Sequence, residues 1–166
     1  MSEKTAVEEF LEANGAAYER VEFPWTMEDE VARLKAEELA IDTSTIFKTL
    51  VLKGNKTGPV IALVPLDARL DYKKTAKATG NRKLGFPPMD YVLEATGYEH
   101  GANTPIGIRM QHPDYVQIFD TSVKNHQEIL VSAGEIGVSV RVAVDELIVL
   151  VKPLVADILT QEEAKA

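Results

Sequence analysis

The chain contains no cysteine, which excludes disulfides, thiolate nucleophiles and cysteine-ligated zinc or iron–sulfur sites. Histidine is scarce as well. His100, His112 and His126 lie far apart, and no pair shows the short helical interval of a zinc-protease motif, so no metal site is expected. No apolar run approaches the roughly 20 residues needed to span a bilayer. Met1-Ser2-Glu3-Lys4-Thr5 lacks the basic start and apolar stretch of a secretory signal. A cytoplasmic protein without membrane association is expected. Neither G-x-G-x-x-G nor G-x-x-x-x-G-K-[ST] occurs, which removes the local signs of a dinucleotide or P-loop cofactor site. Ser2, Ser44, Ser122, Ser132 and Ser139 all lie outside any G-x-S-x-G elbow, so a serine-hydrolase triad has no local support. No cofactor is expected.

Positive charge is also in deficit: 18 Lys and Arg face 26 Asp and Glu, giving a net charge of −8. An acidic surface repels phosphates at long range and argues against a non-specific nucleic-acid binder. The local distribution is different. Between Arg69 and Lys83 six basic residues (Arg69, Lys73, Lys74, Lys77, Arg82, Lys83) stand against the single acid Asp71, a third of the chain's basic side chains in one short stretch. Such a run is read either as a solvated helix face or as a phosphate-contacting patch. At 166 residues, with 45% hydrophobic and 27% charged content, one soluble domain spanning residues 1–166 is expected.

Periodicity and punctuation supply the elements. Val7, Phe10 and Leu11 mark an amphipathic helix from Thr5 to Asn14, closed by Gly15. Tyr18 to Phe23 alternates as a strand. Thr26 and Asp29 resemble a capping box, and Val31, Leu34 and Leu39 predict a second helix ending near Ala40. Ile46 to Leu52 and Val60 to Val64, joined by turn residues, predict a β-hairpin. Asp71 caps a helix from Tyr72 to Thr79 that Gly80 closes, which places Lys73, Lys74 and Lys77 on one side. A short helix follows from Met89 to Ala95. Strands are predicted at Tyr115 to Phe119, Ile129 to Val131 and Val138 to Val142, with a turn at Ser132-Ala133-Gly134, before a last helix from Asp145. The tail from Gln161 is charged and alanine-rich. Helices interspersed with hairpins predict an α+β domain around a mixed sheet.

Four features stand out chemically. Lys48 shares its strand face with Ile46, Leu50 and Leu52, so an ammonium points into an apolar side. Burying an unpaired charge costs at least about 2 to 3 kcal/mol, so this lysine either snorkels to the sheet edge or borders a cleft and binds a phosphate or carboxylate. The loop from Gly97 to Gly107 holds three glycines and a proline, permitting close backbone approach to a ligand and N–H groups that hold an oxyanion, or forming a plain structural turn. His100 lies inside that loop. Asp120, at the end of a strand, either orients a substrate amine or caps the following turn.

Three stretches together resemble the YbaK family, also known as the prolyl-tRNA-synthetase-associated editing family. They are Ile46-Phe47-Lys48-Thr49-Leu50, Gly97-Tyr98-x-x-Gly101-x-x-x-Pro105-x-Gly107, and Val131-Ser132-Ala133-Gly134. With the intervening Leu70-Asp71-Tyr72-Lys73-Lys74 segment, the match runs from about residue 7 to residue 151. The resemblance implies an α+β fold with a mixed, largely antiparallel pseudo-barrel sheet surrounded by helices. It implies a free-standing deacylase that cleaves the ester joining a wrong amino acid (Cys, Ala, Ser or Thr) to the 3′-terminal ribose of tRNA. The catalytic set carried over is Lys48, Gly101, Thr104 and Pro105, with Lys48 on the terminal adenosine or its phosphate. Thr49, His100, Ala102, Asn103, Gly107, Asp120, Ser132 and Gly134 are implied to bind substrate. Lys73, Lys74, Lys77, Arg82 and Lys83 are implied to contact the acceptor stem, and an aminoacyl-tRNA synthetase is an implied partner. Attack on the carbonyl by water, a ribose hydroxyl or the substrate's own side chain suits a chain that lacks a triad.

The chain also departs from the family pattern. Phe23-Pro24-Trp25 stands where Cys-tRNA-editing members have Tyr, an acid and His, predicting a drier or narrower pocket. Glu135-Ile136-Gly137 replaces a basic pair and glycine, Ser139 replaces an acid, and Ala102-Asn103-Thr104-Pro105 replaces Gly-Ile-Ser-Pro. These changes leave open an alternative: an inert YbaK-like protein that binds a nucleotide or a partner without cleaving an ester.

Overall fold

Local capping chemistry sets most helix ends. The computed structural model describes residues 3–23, 25–28, 31–34, 42–99 and 101–160. Helix α1 (Ala6–Ala13) begins at Thr5, whose hydroxyl accepts from the Glu8 N–H at 3.2 Å while the Glu8 carboxylate accepts from the Thr5 N–H at 3.0 Å. Glu8 also accepts from Arg20 at 2.7 Å, tying the helix to β1 (Tyr18–Glu22). Strands β2 (Trp25–Glu28), β3 (Val31–Leu34), β4 (Phe47–Gly54) and β5 (Gly58–Pro65) follow. In α2 (Tyr72–Thr79), the Asp71 carboxylate accepts from the Lys74 N–H at 2.9 Å, and Gly80 at φ +80° takes the left-handed exit. The chain continues through β6 (Leu84–Gly85), α3 (Met89–Thr96), α4 (Pro105–Gln111), β7 (Val116–Asp120), β8 (Glu128–Glu135), β9 (Val138–Ala143), α5 (Val144–Val151) and β10 (Leu154–Ala156).

The larger sheet has the order β10-β7-β5-β4-β6, with β5–β7 and β7–β10 parallel and the other pairs antiparallel. The smaller sheet, β1-β9-β8, is antiparallel. A parallel bridge between Ile46 and Leu130 couples the two, giving the mixed, mainly antiparallel pseudo-barrel that was expected. Phe47, Leu63 and Phe119 from the large sheet meet Val131, Val140 and Val142 from the small one, with Val7, Leu11 and Leu147 of the helices sealing this core. Each large side chain buried there contributes about 1.5 to 3 kcal/mol. The opposite face of the large sheet is covered too, by Leu70 and Ile158. Two covered faces explain the unbroken apolar run Val60-Ile61-Ala62-Leu63-Val64 in the central strand. Among the described residues no helix is long and apolar enough to cross a membrane.

The predicted helix after Thr26 is corrected. Trp25–Glu28 and Val31–Leu34 pair antiparallel, Trp25 opposite Leu34 and Glu28 opposite Val31. Trp25, Thr26 and Val31 favour extended backbone, and pairing satisfies the peptide groups of both segments at once. The end of that predicted helix near Ala40 lies outside the described residues, as does the tail 161–166. The predicted turn at Ser132-Ala133-Gly134 is strand: all three belong to β8, where a bulge between Ser132 and Glu135 uses Gly134 at φ +98°. The chain reverses instead around Gly137, at φ +84°. Helix α4 and strand β10 were not anticipated. Gly107 hid the helix, because glycine breaks a helical pattern; here a Cβ at 107 would meet Tyr98 Oη at 2.1 Å and Thr104 Cγ2 at 2.7 Å.

Candidate functional site

Strand β4, the segment after α3 and the β8–β9 reversal enclose a cavity of about 600 Å³. Lys48, Thr49, Gly101, Asn103, Ser132 and Ser139 are among its lining residues. Lys48 is half-buried, and burial lowers the pKa of its amine, opposed by the negative charge of Asp67. Among the described residues no carboxylate lies within ion-pair distance of it. Desolvation without a partner is a cost that an anionic ligand would relieve. Beside it, Thr49 Oγ1 is buried and has no hydrogen-bond partner among the described residues. Unengaged buried hydroxyls of this kind are uncommon and point to a ligand or water contact.

The 101–104 segment is braced from two sides. Ser132 Oγ donates to the Ala102 carbonyl at 3.0 Å and accepts from the Gly134 N–H at 3.2 Å, fastening the segment to the β8 bulge. Asn103 Oδ1 accepts from Thr96 Oγ1 at 2.8 Å, which ties it to the end of α3. Thr104 caps α4 by accepting from the Gly107 N–H at 3.3 Å, with Pro105 at the first helical position. Gly101, at φ +91°, is exposed at the rim. The result is a braced segment of small residues whose Gly101 and Asn103 line the same cavity as the Lys48 amine and the Thr49 hydroxyl.

The structure thus brings Lys48, Thr49, Gly101, Asn103 and Ser132 to one cavity and leaves the other expected site residues that it describes outside its lining. Ala102, Thr104, Pro105 and Gly107 are buried. Gly134 sits in the bulge under Tyr98, 3.1 Å from where its Cβ would be. Asp120 is 2% exposed, and its carboxylate accepts from the Ser122 N–H at 2.9 Å and the Ile158 N–H at 3.0 Å. Of its two readings, the geometry is that of the cap. His100 lies outside the described residues. No group of three His, Cys, Asp or Glu able to hold a metal ion occurs among the described residues.

A family model described as an aminoacyl-tRNA editing domain matches residues 26–150. The chain belongs to that family. This editing domain is 37% identical over 160 residues to EbsC of Enterococcus faecalis, a candidate Cys-tRNA(Pro)/Cys-tRNA(Cys) deacylase by name, covering 96% of each chain. It superposes with TM-score 0.76 on the crystal structure of a candidate trans-editing enzyme for prolyl-tRNA synthetase, at 27% identity over 93% of this chain and 94% of that one. The structure of a hypothetical protein, at TM-score 0.78 and 24% identity over 93% and 99% of the two chains, shares the fold.

Some lining residues of the editing domain carried no signal in the sequence. Asp67, Phe86, Met89 and Val92 come from loops and from the first turns of α3, and only the fold gathers them at the cavity. Ser139 stood out in the sequence as a departure from the family pattern; it is 7% exposed, lies opposite Ser132 in register and lines the same cavity. The basic segment is divided by the structure. Lys73 and Lys77 are exposed on α2 and Arg82 and Lys83 beyond it, whereas the Lys74 amine is held by Asp157 at 3.1 Å and the Leu159 carbonyl at 2.8 Å.

Proposed function

We propose that this protein is a free-standing aminoacyl-tRNA deacylase that hydrolyses the ester of mischarged tRNA in the cytoplasm. The observation that carries this is the half-buried Lys48, which has no ion-pair partner among the described residues and lines one cavity together with Thr49, Gly101 and Asn103. In this reading the ammonium holds the terminal nucleotide of the tRNA through its phosphate, while amide groups of the 101–103 segment hold the ester carbonyl. Water adds to the carbonyl carbon, the carbon–oxygen bond to the ribose breaks, and the ribose oxygen leaves as a hydroxyl carrying a proton. Amino acid and intact tRNA are released. No side chain needs to act as a dedicated base, since positioning alone supplies about 7 to 11 kcal/mol in favourable cases.

Small side chains suit the cavity, which combines the hydroxyls of Thr49, Ser132 and Ser139 with apolar Val51, Val92 and Val138. The family resemblance makes the substrate class Cys, Ala, Ser or Thr on a noncognate tRNA, with discrimination against larger amino acids resting on clash rather than on weak binding. The name of the Enterococcus relative makes Cys-tRNA(Pro) the first species to try. Acceptor-stem contacts would come from Lys73, Lys77, Arg82 and Lys83, and a synthetase partner would add tRNA selectivity.

The test is deacylation of tRNAs charged with Ala, Ser, Thr, Cys and Pro by wild type and Lys48→Ala. One or two misacylated species are cleaved, and the mutant loses roughly tenfold to hundredfold, as expected for one charge-assisted contact. No cleavage above the spontaneous rate on any species would replace this reading with that of an inert binder.

A further inference from the structure

Directly beside the first cavity lies a second, of about 610 Å³, and the two share Lys48, Leu50 and Phe86 as lining residues. One wall of the second is aromatic. Tyr72 and Phe86 meet edge to face, with ring centroids 5.7 Å apart and an interplanar angle of 90°. Both rings stay in solvent, at 43% and 57% exposure, and Met89 and Leu93 nearby are similarly open. Lys48, Arg69 and Lys73 border the same space, together with the small and apolar side chains of Leu50, Ala68 and Leu70. The carboxylate in the lining, Asp71, is already occupied as the cap of α2.

This combination differs from a core face and from a simple salt-bridged surface. A core would have covered the rings, since each large aromatic left open forgoes burial energy. Flat rings interleaved with cations, on a chain of net charge −8, match the way proteins hold unpaired nucleotides: bases stack on aromatic faces while the backbone follows the cations. Continuity through Lys48 sets the order of occupants along the track.

We infer that the second cavity holds the unpaired nucleotide that precedes the aminoacylated terminal nucleotide, its base against Tyr72 and Phe86 and its phosphate near Arg69 and Lys73. This rests on the deacylase reading for the identity of the strand, but binding reads it out without any cleavage. The experiment compares binding of uncharged CCA trinucleotide and of adenosine monophosphate to wild type, Tyr72→Ala, Tyr72→Phe and Lys73→Gln. Tyr72→Ala weakens CCA binding about tenfold and adenosine monophosphate binding by less than about twofold. Tyr72→Phe, which keeps the ring, retains CCA affinity. In Lys73→Gln the slope of log affinity against log salt falls by about 0.7, one phosphate contact on a single strand. Equal loss for both ligands in Tyr72→Ala, no loss for either, or wild-type CCA binding no tighter than adenosine monophosphate overturns the inference. Failure of the deacylase reading shows separately, as absence of cleavage in the charged-tRNA panel.

Discussion

Asn81 and Asn103 are buried to nearly the same degree, at 7% and 6% exposure, and each holds a segment expected from sequence to meet the substrate. Their hydrogen bonds differ. Asn81 Oδ1 accepts from the Lys56 N–H at 2.8 Å and the Thr57 N–H at 3.1 Å, and its Nδ2 donates to Thr57 Oγ1 at 3.0 Å and Thr79 Oγ1 at 2.9 Å. All four of its positions are engaged, clamping the end of α2 to the β4–β5 turn. The fit is tight enough that a Cβ on Gly54 would lie 2.5 Å from its side chain. Asn103 makes one short bond, from Thr96, and one at the 3.5 Å limit, to the Glu99 carbonyl, and it lines the cavity. A fully engaged amide is a brace; one with a donor and an acceptor to spare, beside a cavity, is equipped to meet a ligand.

The largest effect is expected at the brace. Asn81→Ala takes the acceptor from two backbone N–H groups and a donor from two threonine hydroxyls that keep their bonds to backbone carbonyls, and should cost about 2 to 3 kcal/mol in urea denaturation, with deacylation within twofold well below the melting temperature. A loss under about 1 kcal/mol would erase the distinction between the two asparagines. Asn103→Ala should cost about 1 kcal/mol of stability but lower deacylation roughly tenfold or more. If it instead loses as much stability as Asn81→Ala and keeps its activity, Asn103 is a second brace.

The smallest effect has the opposite sign. Lys48→Met removes a desolvated charge and should raise the melting temperature by about 1 to 2 °C at pH 7, modest because water still screens the amine, while it impairs cleavage. The folded pKa of Lys48 lies below 10.5, so its charged form burdens the fold fully below that lowered value. The burden lifts as pH rises through the lowered value towards 10.5. The stability advantage of Lys48→Met should therefore be full at pH 7 and shrink as pH rises through the lowered value towards 10.5, as read by thermal melts. An advantage that is constant over this range would mean that packing, not charge, is responsible.

Legibility differed by region for the same reasons. Asp71 and Gly80 announced α2 because a cap and a left-handed exit are chemistry of adjacent residues. Lys48 was legible because alternation along one strand puts a charge on an apolar face. Thr26 and Asp29 misled, since a capping-box spacing is also compatible with extended chain, and the pairing of Trp25 with Leu34 decided between them. Strand β10 left no trace because Leu154-Val155-Ala156 is too short to show a period; it exists through its parallel partner β7.

By itself the sequence determined the family, the capped helices, the β4–β5 hairpin and the placement of a lysine where charge is costly. Each of these rests on chemistry within a few residues, or on motifs matched in order. Only the tertiary structure decided that Gly101 and Asn103 line one cavity with Lys48, that Ser132 fastens that segment, that Tyr72 meets Phe86, and that Asn81 is fully engaged while Asn103 keeps a donor and an acceptor to spare. Those relations join residues far apart in the chain, and their energies depend on which groups burial brings together and which it leaves without a partner.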